Sequence, residues 1–271
     1  MNCNGLGLVS SKSNIQSDSM KKLTLFSLVI FSLFSCKKEP LSNSASFGLK
    51  CYLDSKLNLE TGNVIACAGG TTTSFLNDSI NPISVFFYVD SGAHDFRYYE
   101  TNSINVDPND YYLYVERDYE MTVLFQGIMR KFNHPPLSEE RWGIVTYETE
   151  GKIHICNPIR LKAVVEPTQN ISAITTIMEI GVNPTFDWTA ESEPNNVIYF
   201  SVVSDLNDQL ISGTYTTEKF WTFYDLSNVV LNVTPSPNPN LMPSSNYNYT
   251  MMGVSVDNWV HTFATKPFVT N

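Results

Sequence analysis

At 271 residues with 42% hydrophobic and 13% aromatic content, the chain carries enough apolar side chain to fill one or two cores, which excludes global disorder. Its 17 basic side chains face 27 acidic ones, a net charge of -10, and loss of residues 1–35 would remove Lys12, Asp18, Lys21 and Lys22 and take this to -12. Such a surface repels phosphate, so nucleic acid is excluded as a partner, as is attachment to anionic lipid through protein charge.

Residues 1–19 show no apolar periodicity, and translation is expected to start at Met20. From there Met20-Lys21-Lys22 supplies positive charge, Leu23 to Phe34 an apolar run of twelve residues, and Leu33-Phe34-Ser35-Cys36 its end. A helix needs about 20 residues to cross a bilayer, so this order reads as a signal peptide. Its end resembles a bacterial lipobox, with Leu33 three residues before the Cys and a small residue just before it; Phe34 is bulkier than the usual occupant. The resemblance implies cleavage before Cys36, lipidation of its thiol, and membrane attachment through the acyl chains. Residues 1–35 are then upstream segment and signal peptide, and 36–46 a lipidated tether. Lys37-Lys38-Glu39 resembles the charged tag of surface lipoproteins in Bacteroidota, which implies an outer-membrane, surface-exposed address.

Beyond the tether, short β-type runs recur between turn residues every 8–12 positions or so, and helical periodicity is nearly absent. The predicted strands of the first half are Val64 to Cys67, Ile83 to Val89, Phe96 to Tyr99, Tyr111 to Val115, Met121 to Phe125, Gly143 to Tyr147 and Ile153 to Leu161. Glu148-Thr149-Glu150-Gly151 predicts a hairpin turn, and Pro158 predicts an edge or bulge within the last of these runs. Gly69-Gly70-Thr71-Thr72-Thr73 reads as a connection, since neither a Lys nor a following helix is there to hold a phosphate. Cys51, Cys67 and Cys156 allow at most one bridge among themselves, with three possible pairings, or three buried thiols.

A boundary is expected near Lys162 to Asn170, giving domains 47–162 and 163–271. In the second, Phe186 and Trp188 alternate on one face, Glu193-Pro194-Asn195-Asn196 turns the chain, and Val197 to Val203 follows as a strand. Leu241-Met-Pro243-Ser-Ser-Asn-Tyr247 then leads into a strand presenting Tyr247, Tyr249 and Met251 together. These motifs resemble a fibronectin type III domain over about residues 180–268. The resemblance implies a tyrosine corner at Tyr247, set by Leu241 and Pro243, and an inward Trp188. The stretch Leu210 to Val233 departs from the family pattern, and the first half is read as immunoglobulin-like. The fold class expected is thus all-β, two tandem immunoglobulin/fibronectin type III-like sandwiches after a lipoprotein signal peptide.

Motifs for chemistry are few. His94, His134, His154 and His261 lack metal-ligand spacing and are expected at the surface or at strand ends; no metal and no cofactor are predicted. Glu139-Glu140 and Asp90/Asp95 could supply a glycosidase pair but read as solvated loops. Asp107-Pro-Asn109-Asp110 and Asp205-Leu-Asn207-Asp208 offer oxygen ligands for calcium or, more simply, Asx turns. In Phe220-Trp221-Thr-Phe223-Tyr224, neighbouring aromatics point to opposite faces, so Trp221 and Tyr224 are candidate ligand contacts. These readings point to a non-enzymatic binding or spacer protein, with a glycan or an envelope protein as partner. The alternatives are a surface hydrolase with loop carboxylates and a structural assembly subunit.

Overall fold

A computed structural model describes residues 48–56, 58–70, 80–178, 181–235 and 239–271. Cys36, the expected signal peptide and the tether up to Ser46 lie outside them, as do Thr71 to Thr73.

Apart from one short helix, α1 (Leu49–Asp54), and two single 3-10 turns, the described elements are strands. The first half holds β1 (Leu59–Val64), β2 (Ala66–Gly70), β3 (Ile83–Tyr88), β4 (His94–Glu100), β5 (Val115–Arg117), β6 (Met121–Leu124), β7 (Met129–His134), β8 (Arg141–Thr149), β9 (Lys152–Cys156) and β10 (Ile159–Leu161). The second holds β11 (Gln169–Asn170), β12 (Thr176–Met178), β13 (Thr185–Asp187), β14 (Asn196–Asp205), β15 (Leu210–Thr216), β16 (Phe220–Thr222), β17 (Val229–Asn232), β18 (Asn246–Ser255) and β19 (Val260–Val269).

Four sheets result. Their orders are β1-β9-β8-β4-β5 with β10 also on β8, β2-β3-β7-β6, β11-β19-β18-β14-β15-β17, and β12-β13-β16. Neighbours are antiparallel except β1 with β9 and β11 with β19. The sheets form two pairs, as β-sandwiches do.

The period-two alternation of side chains stacks these sheets. In β3, Val85 and Phe87 face a core shared with the first sheet, whereas Phe86 faces the opposite way, toward Phe200, Val202, Met252 and Val254. In β14, Phe200 and Val202 join that same middle core, while Tyr199 and Val203 turn to a third one with Phe186, Trp188 and Trp221. The two inner sheets are therefore buried on both faces, and three apolar layers separate four sheets. A strand buried on both sides needs no polar face, which is why β3 reads Ile-Ser-Val-Phe-Phe-Tyr.

Local departures from the predicted elements have plain causes. Tyr111–Leu113 forms a 3-10 turn instead of a strand, because the Asp110 carboxylate accepts from the Tyr112 N–H at 3.1 Å and caps it. Pro158, lacking an N–H, separates β9 from β10. The predicted hairpin tightens to a two-residue turn, with Thr149 opposite Lys152 and with Glu150 and Gly151 at φ 53° and 74°, the positive angles of a type I′ turn. Cys67 and Cys156 are free thiols, so no bridge joins any two of Cys51, Cys67 and Cys156.

Candidate functional site

The two halves of the chain meet at a clamp made by the β18–β19 turn. Trp259, at its end, is fully buried in the core of the first half, and its indole N–H donates to the Glu166 carbonyl at 2.8 Å. Around it the Ala68 N–H donates to Asn258 O at 3.0 Å, the Arg160 N–H to Asp257 O at 2.9 Å, and the Asn258 amide to Pro158 O at 3.0 Å. Lys162 closes the edge with an ion pair to Asp257 at 2.9 Å. Gly69 and Gly70 belong to this contact rather than to a loose connection. A Cβ on Gly70 would stand 2.9 Å from the Ala163 Cβ, and one on Gly69 would stand 3.1 Å from Val260.

Between the inner sheets lies a partly open recess of about 270 Å³. Phe86, Cys67 and Met129 come from one half and Phe200, Tyr215 and Met252 from the other. The Phe200 and Tyr215 rings are stacked with centroids 4.4 Å apart. Its lining contains no Lys, Arg, Asp, Glu or His. Burial, and then the neighbouring Cys67 and Tyr88, push the Tyr215 phenol well above its ordinary value. Burial also pushes the Cys67 thiol up to about 12. Both groups thus stay protonated near neutral pH.

The residues singled out from the sequence are distributed differently. Trp221 is fully buried against Phe186 and Phe223, so it offers no face to a ligand; Phe220, 42% exposed, takes the outward position of that pair. Tyr224 is half-buried, with its hydroxyl accepting from the Asn232 amide at 2.9 Å. Trp188 packs at 5.5 Å from Tyr199 in the third core, and Leu241 is buried there too. The Tyr247 hydroxyl accepts from the Met242 N–H at 2.9 Å across the exposed Pro243.

The histidines are more buried than expected, since only His94 of the four is exposed. His134 spends both ring nitrogens, one on Glu100 and the other on the Pro135 carbonyl at 2.5 Å, which leaves none to act as a base. Glu100 itself is fully buried between His134, Arg117 at 3.3 Å and Arg141 at 3.4 Å. Burial alone would raise its pKa, but the His134 hydrogen bond and the charges of His134, Arg141 and Arg117 outweigh it and hold the carboxyl below its ordinary value. Other carboxylates are similarly engaged. Glu148 takes Lys56 and the Tyr52 hydroxyl, each at 2.9 Å, and Glu191 takes Lys219 at 3.0 Å and the Tyr199 hydroxyl at 2.8 Å.

Asp95 is bound by the Arg97 guanidinium, Asp90 by the Tyr147 hydroxyl, and Glu140 by Arg160, while Glu139 is exposed. Both acidic turns are Asx turns, with Asp107 accepting from the Asn109 N–H and Asp205 from the Asn207 N–H. Among the described residues no three His, Cys, Asp or Glu side chains are grouped to hold a metal. Sequence reasoning missed Trp259 and the recess, because both arise from packing between distant strands that no local motif encodes. The chain matches no protein-family model, and no curated protein resembles it significantly in sequence.

Proposed function

We propose that this chain is a lipid-anchored cell-envelope protein of binding type, without catalysis, held at the outer membrane through Cys36. Its body combines an immunoglobulin-like and a fibronectin type III-like sandwich, and the two work as one stiff unit. Support for the second assignment comes from the Tyr247 hydroxyl bonded back to Met242, with Trp188 and Leu241 inside the same core. The observation that carries the binding reading is the recess between the inner sheets, an apolar concavity with few polar groups of the kind small ligands occupy. Burial of Trp221 removes the platform on which a glycan would stack, so a partner on the outer surface is more simply a protein. A stiff body suits an anchored binder because it presents one fixed surface at the end of its tether.

Metabolic labelling with radioactive palmitate tests the anchor. The wild-type chain is expected to take up label and sediment with membranes, and Cys36→Ala to lose both properties. An unlabelled wild-type product would refute the anchor.

A further inference from the structure

We propose that the recess between the inner sheets is a binding site for a neutral, flat, two-ring aromatic molecule carrying one oxygen that accepts a hydrogen bond from the Tyr215 hydroxyl. Size sets the first limit. An apolar protein cavity of ~150 Å³ holds benzene, and this recess measures about 270 Å³, enough for a second ring. Shape sets the next, because the stacked Phe200 and Tyr215 rings form a flat wall. Met129 and Met252 add thioethers to the lining, whose adaptable side chains favour aromatic edges.

Charge selects further. With no Lys, Arg, Asp, Glu or His in the lining, a carboxylate or ammonium would be stripped of water without a counter-ion, a cost of several kcal/mol or more. The polar side chains of the lining are neutral: the Asn157 and Asn258 amides, the Cys67 thiol and the Tyr215 phenol, of which the phenol belongs to the flat aromatic wall. Tyr215 is nine-tenths buried and lines the recess. Because this phenol stays protonated, it can donate to an acceptor on a molecule held against the Phe200–Tyr215 wall.

This inference rests on the binding reading above but not on the lipid, so a chain that takes no palmitate would leave it standing. The test uses Ser46–Asn271, a compact unit that contains all three cores, with 2-naphthol, naphthalene and 2-naphthoate as probes in isothermal titration calorimetry at pH 7. Binding of 2-naphthol is expected to be roughly 3- to 10-fold tighter than that of naphthalene, the worth of one hydrogen bond. The charged naphthoate is expected to bind at least about 10-fold more weakly than 2-naphthol. Tyr215→Phe should erase the preference for 2-naphthol while both neutral probes still bind. Leu231, half-exposed on edge strand β17, lines the rim, so Leu231→Trp should weaken all probes without unfolding the protein. No measurable binding of either neutral probe, or binding that ignores both substitutions, overturns the proposal.

Discussion

Gly143 shows how closely side chains are fitted in the first core. A Cβ there would lie 2.5 Å from the Tyr98 hydroxyl oxygen and 3.0 Å from the nearest ring carbon, and Tyr98 is fully buried. Gly143→Ala is therefore expected to cost about 1–3 kcal/mol in urea unfolding. Removing the oxygen with Tyr98→Phe in the same chain should return part of that loss. Equal costs in the two backgrounds would mean that the hydroxyl is not the obstacle.

Glu100 carries the pH dependence at this scale. Its pKa is depressed in the folded chain relative to about 4.3 when unfolded. The stability it contributes is therefore fully present above the unfolded value and is lost as pH falls through the lower folded value. Glu100→Gln should flatten the acid limb of the urea midpoint against pH. At neutral pH it should also destabilise the fold by about 3–5 kcal/mol, since it strands His134, Arg117 and Arg141 around an uncharged amide. An unchanged acid limb would show that another group controls it.

At the scale of elements, the β18–β19 turn is the part on which the most depends. Trp259→Ala empties a fully buried site in the first half's core and removes the hydrogen bond to Glu166, a change of about 3–5 kcal/mol. The loss should appear in hydrogen exchange of β2 and β10, which belong to the other half of the chain; protection that falls only in β18 and β19 would contradict the clamp.

Strands with strong alternation or a turn signal were legible in the sequence. The hairpin at Glu150-Gly151 and the shared face of Tyr247, Tyr249 and Met251 both stand where the residue pattern put them. The helix Leu49–Asp54 was not legible, because six residues with Leu49, Tyr52 and Leu53 buried are too few to set a helical period. Nor was the outward choice between Phe220 and Trp221, since alternation says that one of them points out and only the sheet packing decides which. The clamp and the recess were hidden for the same reason. Val-Ile-Tyr-Phe-Ser-Val-Val reads as a strand either way, and which layer each side chain enters depends on a partner sheet far along the chain.

On the scale of the whole molecule, the middle apolar layer changes what two sandwiches in series can do. Phe86 and Met129 on one side and Phe200, Met252 and Val254 on the other bury each other. Separating the halves would expose both sets as contiguous apolar surface. Fragments 47–162 and 163–271, expressed singly, are accordingly expected to bind the dye ANS strongly and to aggregate; two well-dispersed, non-binding fragments would show that each half completes its own surface. A body of this kind has no free linker between its halves, because the middle apolar layer joins them directly.

Differential scanning calorimetry of Ser46–Asn271 addresses this most directly. If four stacked sheets form one cooperative body, the fragment melts in a single transition whose calorimetric and van't Hoff enthalpies agree, and Trp259→Ala lowers that one transition as a whole. Two resolved transitions, with Trp259→Ala moving only one of them, would mean that the halves are independent domains and that the clamp binds them only loosely.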